Sequence, residues 1–276
     1  MGSSERHELI LRELRARGRV TVPEIAGLTG CSEMTVRRDL DVLAHDGLLR
    51  RVRGAAVSAL TGEETPFPVR RRAAADAKRR IGKVVADLLE DGETLVLDSG
   101  TTALEVAGRL ADRRLTVLPL SLHTAVALAA APEIRLVLPG GDVRPTELAF
   151  VGPITEYALD VMRFDTAVLG CCGLTVRDGP TGHDLAEASV KRAAIRASAR
   201  VIVVADGSKW GTTAFSRICP PGEIDLLVTD DQAPEEQVRQ FRAAGVEVVC
   251  VQSGAAPGEE PASSYGASAH GGGTRP

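Results

Sequence analysis

Aromatic residues make up only 3% of this 276-residue chain, five Phe, two Tyr and one Trp. Platforms that hold single-stranded nucleic acid stack bases on aromatic faces, so this composition argues against that mode of binding. Cysteine is sparse as well. Cys31, Cys171, Cys172, Cys219 and Cys250 are odd in number and show no CxxC spacing, which argues against a disulfide framework, a zinc site or a redox pair. They read as reduced, small buried residues, and neither a metal nor a cofactor is expected. No uncharged run approaches the roughly 20 residues that a membrane helix requires, and no stretch has the order of a secretion signal. A cytoplasmic protein without a membrane partner is the expectation.

What is present is an ordinary core and an uneven distribution of charge. With 44% hydrophobic residues the chain buries a core of normal size, and its length suits two unequal domains. Residues 1–80 carry 16 basic against 11 acidic side chains, a net of +5, while the remainder carries 17 against 26, a net of −9. A basic head on an acidic body implies that the head alone meets a polyanion.

The head is organised around residues 31–40, Cys-Ser-Glu-Met-Thr-Val-Arg-Arg-Asp-Leu. On a helix over 32–45, Val36, Leu40 and Leu43 share one face, Arg38 and Met34 point away, and Thr35 and Arg37 flank them. Ser32 supplies a capping hydroxyl, and Gly30 allows the sharp entry of a helix-turn-helix. Before it, residues 6–17 read as a helix closed by Gly18. A second helix opens at Thr21, where Glu24 completes a capping box and Pro23 falls in the tolerant first turn. After a stop at Asp46-Gly47, residues 48–57 read as a hairpin with Arg51 and Arg53 on one face. Three helices and a hairpin make a winged helix over 1–57. A bare three-helix domain with solvated arginines remains open on these residues alone.

Residues 58–77 lose apolar periodicity and hold Pro66, Pro68 and Arg70-Arg71-Arg72, so a linker is expected there. From 78 to 252, seven apolar strand-like runs near 94–97, 115–118, 134–138, 166–169, 201–205, 226–228 and 246–251 alternate with helical stretches. That alternation predicts an α/β domain with a largely parallel sheet and helices on both faces. Residues 253–276, rich in Gly, Ser, Ala and Pro, read as a disordered tail.

Ligands of open α/β sheets bind beyond the carboxyl ends of the strands, and several polar loops fall at such ends. Asp98-Ser99-Gly100-Thr101-Thr102 combines hydroxyls, a glycine and a helix start, which suits a phosphate; an ordinary capped turn is the competing reading. Gly140 and Gly141 let backbone approach a ligand, and Arg144 has the fork for a phosphate or carboxylate. Asp184, Glu187 and Lys191 line one helical face, either for sugar hydroxyls or as a surface ion pair. Lys209, one of four lysines among 33 basic residues, is a candidate anion ligand. His183 reads as a loop histidine, and no nucleophile motif accompanies it.

In combination these motifs resemble the DeoR family of bacterial transcriptional regulators, from about residue 6 to residue 230. The DNA-binding signature is Ser32 to Leu40 with Gly47-Leu48-Leu49-Arg50-Arg51; the sensor signatures are 98–102, Gly140-Gly141 with Arg144, Val151-Gly152-Pro153, Glu187-Ala188 with Lys191-Arg192, and Asp206 with Ser208-Lys209. The resemblance implies a winged-helix head on a Rossmann-like body similar to ribose-5-phosphate isomerase, which senses a phosphorylated sugar or related metabolite. It adds Ser121 to the effector residues. Pro119-Leu120, where many members carry Thr-Asn, and Gly207, where serine is usual, depart from the family pattern at two likely pocket edges.

The reading is a DNA-binding regulator of sugar metabolism genes, a repressor in first place, working as a homodimer or higher oligomer on a double-stranded operator. Thr35 and Arg38 are the candidates for base edges, with Arg37, Arg50, Arg51 and Arg53 on phosphates. The alternative is a sugar-phosphate isomerase with an accessory domain, using Asp98, Asp184 or Glu187 as base.

Overall fold

In the computed structural model, residues 2–17, 19–45, 49–52, 54–58 and 64–253 are described. The head begins with α1 (Ser3–Arg17), β1 (Arg19–Thr21), α2 (Val22–Thr29) and α3 (Glu33–His45), followed by β2 (Leu49–Val52) and β3 (Ala55–Ser58). Ile10, Ile25, Val36 and Leu40 are fully buried between the three helices, with Leu14 and Leu43 almost so. Thr21 and Glu24 form the expected capping box, and Gly30 takes the left-handed conformation that ends α2, with φ of 68°. The hairpin gains a third strand that hydropathy did not show: β1 pairs with β3, giving the antiparallel order β1-β3-β2. The expected stops at Gly18 and Asp46-Gly47 lie outside the described residues.

The segment expected to be a linker is in part helical. α4 (Phe67–Arg72) is followed closely by α5 (Ala75–Asp87). Proline is tolerated at 68 because first-turn N–H groups have no partner to lose, and one aromatic anchors the turn: Phe67 is buried and stacks on His123 with ring centroids 4.1 Å apart. α4 is therefore part of the body, held by side chains too isolated to create a periodic signal, Phe67 on His123 and Arg70 on Glu147 among them.

The body continues with β4 (Thr94–Leu97), α6 (Thr101–Ala107), β5 (Thr116–Pro119), α7 (Leu122–Leu128), β6 (Arg135–Leu136), β7 (Asp142–Arg144), β8 (Ala149–Val151), α8 (Pro153–Asp160) and β9 (Phe164–Gly170). Then come β10 (Gly173–Thr175), β11 (Gly179–Gly182), α9 (Leu185–Ala197), β12 (Ser198–Ala205), β13 (Ser216–Arg217), β14 (Leu226–Asp230), α10 (Glu235–Ala243) and β15 (Glu247–Val251). All seven expected strands join one parallel sheet in the order β15-β14-β12-β9-β4-β5-β6. Separate apolar clusters cover its two faces, one under α9 and α10 and one under α5 and α6. The small sheets β7-β8 and β10-β11-β13 escaped sequence reading because strands of two to four residues, not marked by an apolar run, leave too little alternation. Strand order reverses between β4 and β9, so the loops after these two strands diverge and leave a crevice.

Candidate functional site

The crevice is a small cleft lined mainly by charged and hydroxyl-bearing side chains. Its floor is an ion pair. Asp98, wholly buried at the end of β4, accepts from the Gly170 N–H at 2.7 Å and from Lys191 Nζ at 2.8 Å. Lys191 also donates to the Gly170 carbonyl at 2.9 Å. Burial alone would lower the lysine's pKa, but Asp98 and Glu187 raise it further, so it is firmly charged. Asp98 and Lys191 thus fasten α9 to the sheet.

Ser99, Gly100, Thr101 and Thr102 line the cleft wall at the start of α6. No side chain caps this helix, so its first-turn N–H groups lack intrahelical partners. Among the described residues, the hydroxyls of Thr101 and Thr102 and the ammonium of Lys209 make no hydrogen bond or ion pair. Lys209 follows β12 in a 3-10 turn over Gly207–Lys209 that Asp206 caps, accepting from the Ser208 N–H at 3.0 Å.

Four expected effector residues do other work. Ser121 is fully buried and caps α7, accepting from the Thr124 N–H at 3.2 Å. Gly140 and Gly141 pack against the first turn of α8, where a Cβ on Gly141 would stand 2.3 Å from Thr155 Oγ1. Asp184 caps α9 by accepting from the Glu187 N–H at 2.9 Å. None of these four lines the cleft. Arg144 lies beside it but is engaged, donating to Glu187 at 2.6 Å and to Glu64.

Sequence reading missed Glu64, Arg70 and Glu147 as lining residues. The first two were hidden in the supposed linker, and Glu147 in a loop without a pattern. Arg70 donates to Glu147 Oε2, while its own Nε and Glu147 Oε1 are buried without partners. Asp206 Oδ2 is likewise unpartnered, although Lys78 Nζ lies 3.9 Å away. Burial pushes Glu147 up to about 7 despite Arg70, and pushes the Lys78 amine down to about 8. Cys171 is closed off by burial, which pushes its thiol up to about 12; Cys172 is raised in the same way. Neither is a thiolate nucleophile at neutral pH.

Glu147 has a stability consequence. Between about pH 5 and 7 the native state holds a proton that the unfolded chain has already lost. Its contribution is greatest below the unfolded carboxyl value and is lost as pH rises through 7, a change of about 3 kcal/mol. Urea unfolding at pH 5 and pH 8 is expected to show this drop in the wild type and not in Glu147→Gln. Equal pH dependence in the two proteins would assign the titration elsewhere.

Two further features touch the expected departures from the family pattern. Leu120 donates to the Leu97 carbonyl at 2.7 Å, so Pro119 has its missing N–H on the side where pairing with β6 has already stopped. At Gly207 a Cβ would lie 2.5 Å from Gln232 Cβ and 3.0 Å from its backbone carbon.

In the head, Arg38 and Met34 project from the exposed face of α3 as expected, and Arg38 has no partner among the described residues. Ser32 accepts from the Thr35 N–H at 3.2 Å, with the two hydroxyls 2.9 Å apart. Arg37 pairs with Glu33 at 3.1 Å and Arg51 with Asp41 at 3.5 Å. Arg53 and the side chain of Arg50 lie outside the described residues. One contact was not anticipated. Asp39, on α3, takes Arg6 Nε at 2.8 Å, Arg6 Nη2 at 3.1 Å and His7 Nε2 at 3.1 Å. Burial raises its pKa, but the bonds from Arg6 and His7 hold it below the usual carboxylate range. This latch fixes the roll of α3 against α1.

An outward-facing recognition helix joined to an α/β body with a charged cleft at its switch point defines a ligand-responsive DNA-binding regulator. Residues 6–61 match the DeoR-like helix-turn-helix domain and residues 73–231 the DeoR C terminal sensor domain. The chain belongs to the DeoR family. It is 32% identical to the putative aga operon transcriptional repressor of Escherichia coli O157:H7, over 91% of this chain and 94% of that one. It is 30% identical to the glycerol-3-phosphate regulon repressor of Escherichia coli K12, over 85% and 93%. The ribose 5-phosphate isomerase of Methanocaldococcus jannaschii superposes on 51% of this chain and 56% of its own, with a TM-score of 0.39 and 18% identity.

Proposed function

We propose that this protein represses genes of sugar metabolism and releases DNA when a phosphorylated sugar enters the cleft. The phosphate is assigned to the start of α6 with the cations of Lys209 and Arg70, and sugar hydroxyls to the unpartnered oxygens of Glu147 and Asp206. The observation that carries this reading is that one cleft lining combines unengaged donors, Thr101, Thr102 and Lys209, with buried oxygens of Glu147 and Asp206 that accept no hydrogen bond. Buried polar groups without partners cost stability, and a polyhydroxylated anion satisfies both kinds at once. The names of the relatives support repression. The isomerase alternative finds all three of its candidate bases engaged, Asp98 by Lys191 and Gly170, Asp184 by the Glu187 N–H and Glu187 by Arg144.

On the DNA side, Arg38 and Thr35 read base edges, Arg37, Arg50, Arg51 and Arg53 hold phosphates, and Ser32 sets the helix start. A homodimer or higher oligomer in the cytoplasm follows from half-site geometry. Ile154 and Tyr157 on α8 and Val161 just after it, spaced three and four apart and 60–68% exposed, offer apolar surface that a second copy would cover. No helix among the described residues is long and apolar enough to cross a membrane.

The test is fluorescence anisotropy on duplex DNA from upstream of the protein's own gene, titrated with a panel of sugar phosphates. One member of the panel is expected to release the DNA, and a curve that tightens with ligand reverses the sign of control. Lys209→Ala is expected to bind DNA normally and to need about 10–100 times more effector, the worth of a charge-assisted hydrogen bond. An unchanged effector requirement removes Lys209 from the site.

A further inference from the structure

Glu64 precedes α4 on the stretch of chain between head and body, yet its carboxylate forms part of the body's cleft. Its side chain is only 9% exposed, with Oε1 3.5 Å from Arg70 Nη2, and Oε2 accepts from Arg144 Nη2. Glu187 holds Arg144 from the other side at 2.6 Å. Both arginines that could meet a ligand's anionic group are therefore neutralised by acid, and one of the acids comes from the interdomain segment. Arg70 still has a buried Nε that bonds to nothing, so a donor is left over even with Glu64 in place.

Five carboxylates line the cleft, from Glu64, Asp98, Glu147, Glu187 and Asp206, against the cations of Arg70, Lys191 and Lys209. A phosphate dianion brings further negative charge into this low-dielectric space, where like charges repel strongly. Some acid must give way. Asp98 is tied to the floor, Asp206 caps its own turn, Glu187 stands on α9, and Glu147 lies between β7 and β8. Glu64 alone stands on a segment ahead of the α/β elements and leaves without breaking one.

We propose, building on the reading of the cleft as a phosphorylated-ligand site, that Glu64, held in place by Arg144, is an internal anion competing with the ligand's phosphoryl group for Arg70. Ligand entry expels the carboxylate and shifts the segment that leads to the head. Five residues, 59–63, separate Ser58 of β3 from Glu64, six Cα–Cα steps that reach at most about 21 Å when extended. Displacement of the carboxylate is thus transmitted over a short tether. Carboxylate-in and ligand-in are exclusive states, and by linkage whatever disfavours the first tightens the second.

The experiment uses the full chain with inorganic phosphate as probe, reading affinity from thermal shift and backbone exposure from hydrogen exchange over residues 64–72. In the wild type, exchange there is expected to rise as phosphate is added. In Glu64→Gln it is expected to be fast without phosphate, and phosphate is expected to bind about tenfold more tightly. Equal phosphate affinity in the two proteins, or exchange that slows on titration, overturns the proposal and leaves the cleft reading intact. Lys209→Ala separates the two ideas. A phosphate affinity that Lys209→Ala leaves unchanged counts against both, as does the absence of any phosphate binding.

Discussion

Lys191→Met is expected to lower stability by about 3–5 kcal/mol, the usual consequence of leaving a buried charge without its partner. For a protein of this size that is a fall in Tm of roughly 6–20 °C. Lys191 is 7% exposed and Asp98 is wholly buried, so water cannot take over for the missing ammonium. Asp98 would keep only the Gly170 N–H and the Ser99 hydroxyl, at 2.7 and 3.4 Å, while the Gly170 carbonyl would lose its Lys191 donor. The double variant Asp98→Asn, Lys191→Met is expected to recover part of the loss, because the orphaned charge is then gone. Denaturant unfolding of the single and double variants measures both. A single-variant loss below about 1 kcal/mol would mean that water reaches the cleft floor, contrary to the burial argument.

Arg38→Ala is expected to weaken binding to the cognate duplex by about 5- to 150-fold for each half-site engaged, with little change on random duplex. A side chain that forks onto a guanine edge is worth about 1–3 kcal/mol of discrimination, and Arg38 reaches that edge without first breaking a bond. Arg37 and Arg51 differ. Each has an acidic neighbour, Glu33 or Asp41, so contact with a phosphate exchanges one anion for another. If five arginines per protomer neutralised phosphates in a dimer, the log-log salt slope would be about −9; these exchanges hold the slope well short of that. Anisotropy on cognate and random duplexes across salt concentrations separates the roles. Equal weakening on both duplexes would move Arg38 to the phosphate group.

The helices of the head were legible because each repeats its own period, and the strands of the body because each sits in a continuous apolar run. Val36, Leu40 and Leu43 mark a buried helical seam, and the apolar runs from 94 to 251 mark a parallel sheet covered on both faces. The start of α6 and Lys209 were legible for a related reason, since strand ends in such sheets carry the ligand loops. Side-chain partners were not legible. Ser121 and Asp184 have the composition of ligand residues and the geometry of helix caps, and a capping hydroxyl or carboxylate looks the same in sequence as one that meets a sugar. Gly140 and Gly141 answer to Thr155, a neighbour that spacing does not reveal. Glu64 and Arg70 reach the cleft through chain that has no periodicity, and contacts such as Phe67 against His123 and Arg70 against Glu147 show why that chain folds back.

The close approach of Gly207 to Gln232 constrains the order in which this cleft can be altered by mutation. Even alanine at 207 would place its methyl carbon against the Cβ and backbone of Gln232, so the turn after β14 must move before any side chain is accepted there. A serine at 207 is therefore expected to arrive second, after a change near 232, and the two positions drift as a pair. Grafting a family-typical loop into this chain one residue at a time would pass through a strained intermediate, whereas exchanging both segments together would not.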